Sequence, residues 1–147
     1  MTADLAGPAS PLAAVALDEV VVVDADVSIG EVACRMRDAD VDAVLVGDGR
    51  ARIVSERDLV CALADGRPPD TPVGSIAARR PHTVSDRAFV RDAAELMAIE
   101  RLRHLVVVSS DGRAVGILSL GRIVESLLRG VDPHTWALVL RLGARPA

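Results

Sequence analysis

An internal repeat with a period of about sixty residues constrains this chain more than any other feature. Val23 opens Val-Asp-Ala-Asp-Val-Ser-Ile and Val84 opens the matching Val-Ser-Asp-Arg-Ala-Phe-Val, and Met36 and Met97 stand at the same separation. The register then lengthens in two steps. Asp48-Gly49 matches Asp111-Gly112 at a slightly larger offset, and Ile53-Val54-Ser55 matches Ile117-Leu118-Ser119 at a larger one again. Insertions close to a turn are the kind a fold tolerates. A chain of 147 residues occupied by two such copies has no room for two independent catalytic domains, so it makes two half-domains that share one compact unit.

Within each copy the apolar spacing passes from short runs to helical periodicity and back, which predicts strand, helix, strand, tight turn, strand, helix. In the first copy Val20 to Val23 is the first strand. Ser28 caps a helix, with Glu31 three residues on as the reciprocal arm of a capping box, and Ile29, Val32, Ala33 and Met36 form its buried stripe. Val44 to Val46 and Arg52 to Val54 pair as a hairpin across Asp48-Gly49, a dipeptide suited to positive backbone dihedrals. Glu56 to Ala64 is the second helix. The second copy repeats this with Val90, Ala93, Ala94 and Met97 on its first helix, Leu105 to Val108 and Val115 to Leu118 as the hairpin, and Ile123 to Leu128 closing. Gly66, Pro68 and Pro69 end the intervening helix and start a linker, in which Thr71 to Ile76 reads as a short helical turn with Pro72 at its first position.

These boundaries divide the chain into an N-terminal segment (1–19), a first copy (20–64), a linker (65–82), a second copy (83–130) and a C-terminal helix and tail (131–147). Asp132 and Pro133 start the last helix, and Trp136 and Leu140 share a face of it that suits packing on its own domain or on a second copy. The fold class expected is mixed α/β (α+β): a tandem pseudo-twofold repeat in which each unit is a small three-stranded sheet packed on two helices.

Composition excludes several function classes. Phe89 and Trp136 are the only aromatic residues and the net charge is −4, so neither base stacking nor a phosphate-binding field favours nucleic acid. The longest apolar runs fall far short of the roughly 20 residues that span a bilayer. Met1 to Leu12 carries Asp4 and no basic head of a secretory signal, so a cytoplasmic protein is expected. Cys34 and Cys61 have neither CxxC spacing nor a His beside them, and they are read as buried small hydrophobes. The three histidines are scattered without ligand spacing, so no metal site is expected. Neither a GxxxxGK[ST] loop nor a GxGxxG turn is present, and no nucleophile stands beside a base, so any nucleotide is bound rather than turned over.

The tandem of these units, each ending in two hydrophobic residues, a hydroxyl residue and a helix, resembles the CBS domain pair, also called a Bateman module, over about Val20 to Leu128. The stretch that carries most of the resemblance is Ile53-Val54-Ser55-Glu56-Arg57-Asp58-Leu59, similar to the family's hydrophobic-hydrophobic-Ser/Thr-x-x-Asp ribose motif. Arg103-His104-Leu105-Val106-Val107 and Gly116-Ile117-Leu118-Ser119 are further matches. The chemistry fits those residues. Asp58, one turn into a helix, can offer two carboxylate oxygens to the hydroxyls of a ribose, and Ser55 stands where free backbone N–H groups favour a phosphate. Ser-x-x-Asp is also a capping box, and spacing alone favours the cap; the resemblance is what shifts the balance toward a ribose site.

The resemblance implies that each nucleotide site takes its ribose-binding Asp from one copy and its remaining residues from the other. The site of Ser55 and Asp58 would then be completed by His82, Thr83, Arg103 and His104, with Arg103 binding phosphate through its fork of donors. A second site would use Ser119, but Arg122 stands at its Asp position, and Asp42-Ala43 at its strand start would set a carboxylate against phosphate, so that site is expected to be empty or altered. Arg52, where the second copy has Gly116, and Ala78, where the family often has Thr or Ser, depart from the pattern in the first site. The function expected is a regulatory module binding AMP, ADP or ATP in one cleft, with no cofactor required, no nucleic-acid or membrane partner, and a homodimeric state. The alternative is a dimeric scaffold that has lost nucleotide binding.

Overall fold

The computed structural model describes residues 9–47 and 51–128. The Asp48-Gly49 turn and the helix expected around Trp136 lie outside the described residues. Two three-stranded sheets of the same order and the same pattern of strand directions account for the repeat. In the first, β1 (Val22–Val23) runs parallel to β2 (Ala43–Val46), which is antiparallel to β3 (Arg52–Ser55). In the second, β4 (Thr83–Ser85), β5 (His104–Val108) and β6 (Ala114–Ser119) repeat that arrangement. Helices α1 (Ile29–Ala39) and α3 (Val90–Glu100) connect the parallel strands, and α2 (Glu56–Ala64) and α4 (Leu120–Leu128) follow the hairpins.

The second step in the lengthening of the repeat has a structural cause. Val46 pairs with Arg52 and Leu45 with Ile53 in unbroken register, whereas in the second sheet Val107 pairs with Gly116 and Val108 with Ala114. Val115 is the extra residue, extruded as a β-bulge and half exposed. Gly112, at φ 80°, supplies the left-handed position of the second hairpin turn.

Two apolar clusters form the core, one per sheet. Val32, Met36, Val44, Val46 and Val54 anchor the first, and Val90, Met97, Leu105, Val107 and Leu118 the second. Strand alternation turns Ala43, Leu45, Val106 and Ile117 to the opposite faces, and these are also buried, so both sheets are covered on both sides. The segments ahead of each copy pack on the other unit. Leu12 and Val15 belong to the second cluster, and Asp18 bridges to Ile117 of β6; Val73 and Ala77 belong to the first, and Arg79 bridges to Ile53 of β3. Leu12 and Val15 of the N-terminal segment and Val73 and Ala77 of the linker are therefore part of the core, because each pair supplies apolar cover to its partner sheet.

Several local expectations are corrected. Ser28 caps α1 by accepting the Glu31 N–H, but the Glu31 carboxylate turns forward to Arg35 instead of closing a capping box. Ala33 is exposed, so the stripe of α1 is Ile29, Val32 and Met36. Pro72 stands at the N-cap of a short 3₁₀ turn, Val73–Ser75, rather than inside it. Cys34 and Cys61 are both exposed and free. Cys34 sits midway between Val32 and Met36 in sequence, which at about 100° per residue places it on the far side of α1. No helix among the described residues is long and apolar enough to cross a membrane.

Candidate functional site

The side chains of the ribose-type motif are placed by the junction of β3 and α2. Ser55 ends the strand in extended conformation and the helix starts at Glu56, so Asp58 falls one turn in and folds back. Its Oδ2 accepts the Ser55 N–H at 2.8 Å and the Ser55 hydroxyl at 2.8 Å. The cap and the candidate ligand group are thus one carboxylate. Arg79 Nη2 also reaches it, donating to Oδ1 at 2.7 Å and to Oδ2 at 2.9 Å.

A cleft of about 810 Å³ opens in front of this carboxylate. Ser55 and Asp58 line it from the first copy, Arg103 and His104 from the second, and His82 from the end of the linker that leads into it. Thr83 is not in the lining; next to His82 in the chain and within β4, it is exposed and paired with Val106. Asp42, assigned from sequence to the second site, also reaches this cleft, where its Oδ1 accepts a hydrogen bond from His104 Nε2 at 2.8 Å. That bond, reinforced by the His104 charge, holds the Asp42 carboxyl below the usual carboxylate range even though partial burial opposes it. His104 is nearly buried, its side chain 13% exposed.

Sequence reasoning missed Arg79, Arg80, Arg57 and Arg101, all of which line the cleft. Arg52 does not cover it: the guanidinium donates to the carbonyls of Gly74 at 3.2 Å and Ala77 at 3.1 Å, tying β3 to the segment beneath. Ala78, the other departure, is exposed and outside the lining.

A second cleft, of about 660 Å³, is lined by Ser119, Asp18 and Asp42 among apolar side chains of α1 and α2. Arg122 stands at the position matching Asp58. Its N–H is donated to Ser119 Oγ at 3.3 Å, Nε to Asp18 Oδ1 at 2.8 Å and Nη1 to Glu125 at 3.1 Å. Asp18 and Glu125 hold the guanidinium more firmly protonated than usual. Gly116 does not leave room for a base, because a Cβ there would meet Leu17 Cβ at 2.5 Å. Among the described residues no group of three His, Cys, Asp or Glu side chains could hold a metal ion.

The family model for the CBS domain matches residues 12–65 and 73–129, the two copies together with the segments that precede them. The chain belongs to the CBS-domain family. An uncharacterized 17.7 kDa protein of Acidianus ambivalens is 32% identical to this CBS pair over 130 residues, 86% of this chain and 77% of that protein. Among solved structures, the CBS domain protein PAE2072 from Pyrobaculum aerophilum complexed with AMP is similar at 29% identity and a TM-score of 0.69, covering 91% of this chain and 98% of that one. The cytosolic domain of the Mg2+ channel MgtE in complex with ATP is similar at 28% identity and a TM-score of 0.60, over 76% of this chain and 46% of the other.

Proposed function

We propose that this CBS pair is a regulatory module, not a catalyst, that binds one adenosine nucleotide, AMP, ADP or ATP, in the cleft of Ser55 and Asp58. The observation that carries the proposal is the convergence of Ser55 and Asp58 of one copy with Arg103 and His104 of the other, and with His82 at the end of the linker, on a single cleft. Its volume is that of an ordinary small-ligand pocket. The complexes of similar proteins with AMP and with ATP support the ligand class. Asp58 would receive the ribose hydroxyls once Arg79 swings away, and Arg79 is free to do so because its side chain is 63% exposed. Released from the carboxylate, Arg79 can turn to phosphate, so binding exchanges one ion pair for another and favours one arrangement of the two copies by the difference in affinity. The second cleft has no counterpart of Asp58, because Arg122 holds that position in the repeat and is bound to Asp18 and Glu125, and the cleft is proposed to stay without nucleotide.

Thermal unfolding with AMP, ADP, ATP, adenosine and GMP, on the native chain and on Asp58→Asn, tests this. A ligand at about 100 times its Kd stabilises the fold by about 2.7 kcal/mol. Adenosine nucleotides should raise Tm in the native chain and not in the variant. A flat panel would leave the scaffold reading, which the pairing of Asp58 with Arg79 and Ser55 favours, since it accounts for the carboxylate without any ligand.

A further inference from the structure

Positions related by the repeat carry opposite charges around the two clefts. Arg79, Arg80, Arg101 and Arg103 each follow an acid at the offset that relates Met36 to Met97: Asp18, Glu19, Asp40 and Asp42 in that order. On the helices the inversion runs the other way, with Asp58 matched by Arg122. The structure puts these residues in corresponding places. Arg79 bridges to Ile53 as Asp18 bridges to Ile117. Arg101 and Asp40 are both left-handed C-caps at φ 53°. The Arg103 carbonyl accepts the Leu120 N–H as the Asp42 carbonyl accepts that of Glu56. A left-handed backbone is tolerated by Asp better than by Arg, and unfavourable backbone of this kind clusters at ligand sites.

The two clefts consequently differ in sign. In the first, the carboxylates of Asp58 and Asp42 are engaged by Arg79 and His104. Arg57, Arg80, Arg101 and Arg103 line the same cleft and make no side-chain hydrogen bond or ion pair among the described residues, with Glu56 the one remaining acid in the lining. The field of Arg103 already reaches Asp42 and lowers its pKa. Four unpaired guanidinium groups on one concave surface repel one another until an anion of several charges comes between them. One phosphate carries at most about two charges and suits one or two such forks; a chain of two or three phosphates suits all four.

We propose that the first cleft selects nucleoside polyphosphates over monophosphates, that Arg57, Arg80, Arg101 and Arg103 are the residues that hold the phosphates beyond the first, and that the charge-inverted second cleft refuses the same ligand. This assignment rests on the nucleotide reading above and names the ligand class within it.

Isothermal titration of the native chain with AMP, ADP, ATP and inorganic tripolyphosphate, in EDTA and at two salt concentrations, tests it. ATP should bind at one per chain, about tenfold or more tighter than AMP, and should weaken more steeply with salt. In Arg57→Gln/Arg80→Gln, ATP affinity should fall about tenfold or more toward that of AMP while AMP changes by no more than about threefold. AMP binding as tightly as ATP, equal losses for both ligands in the variant, or two ATP per chain would overturn the inference while leaving the nucleotide reading in place. No binding by any of the three nucleotides would overturn that reading itself. Tripolyphosphate binding as tightly as ATP would overturn the adenosine assignment and support the arginine one.

Discussion

Asp58 accepts from the Ser55 backbone, the Ser55 hydroxyl and Arg79 with two oxygens, and each partner predicts a different consequence of changing it. Arg79 is the one that competes with a ribose. Its pair with Asp58 is largely exposed on the arginine side, so Arg79→Ala should cost no more than about 1 kcal/mol in denaturant unfolding. The same variant should bind uncharged adenosine more tightly than the native chain, because the carboxylate is then unoccupied; unchanged or weaker adenosine binding would refute the competition. Asp42 supplies a pH dependence. Its folded pKa is lowered, so the stabilisation it brings is present above its unfolded pKa, about 3.9, and is lost as pH falls through the folded value. Asp42 is nearly half exposed, which limits the contribution to about 1 kcal/mol. The Tm difference between the native chain and Asp42→Asn, measured from about pH 7 down to about pH 3, should shrink below about pH 4.

At the scale of elements, α2 and α4 occupy equivalent places after their hairpins and both leave apolar residues uncovered. Val60 and Leu63 of α2 are 64% and 58% exposed, and Leu120 and Val124 of α4 are 41% and 38%. Val60 and Val124 are repeat partners at the offset that relates Ser55 to Ser119, so the exposure belongs to the architecture rather than to one accident of sequence. If these faces meet those of a second chain, Val60→Asp/Val124→Asp should yield monomers in sedimentation equilibrium where the native chain is a dimer, with far-UV circular dichroism unchanged. A native chain that already sediments as a monomer would dispose of that interface. Most elements were legible because apolar periodicity survives in a chain with few aromatics. The exposure of Cys34, Cys61 and Ala33 was not, because residue type alone does not say which side of a narrow stripe a small side chain takes.

Across the whole molecule the ion pairs Asp58–Arg79 and Arg122–Asp18 occupy matching positions with the charges exchanged, yet they are not equivalent. Asp18 is almost buried, its side chain 9% exposed, and Arg122 is one-third exposed. Breaking this pair leaves a buried carboxylate without its partner. Arg122→Ala should therefore cost about 1–3 kcal/mol in urea unfolding, clearly more than Arg79→Ala at the mirrored pair. Equal costs would mean that the difference in burial has no energetic weight.

The repeat, the order of strands and helices, the Ser55–Asp58 junction and the loss of a carboxylate at Arg122 all follow from local spacing, and local spacing is what a sequence displays directly. Even the charge inversion was present there, as acids and arginines one repeat apart. Its meaning depended on the tertiary structure. Only folding shows that Leu12 and Val73 each complete the other unit's core, that Arg79 crosses to Asp58, and that Asp42 meets His104. These contacts join side chains far apart in the sequence, and no periodicity within one element encodes which distant side chain fills a given gap.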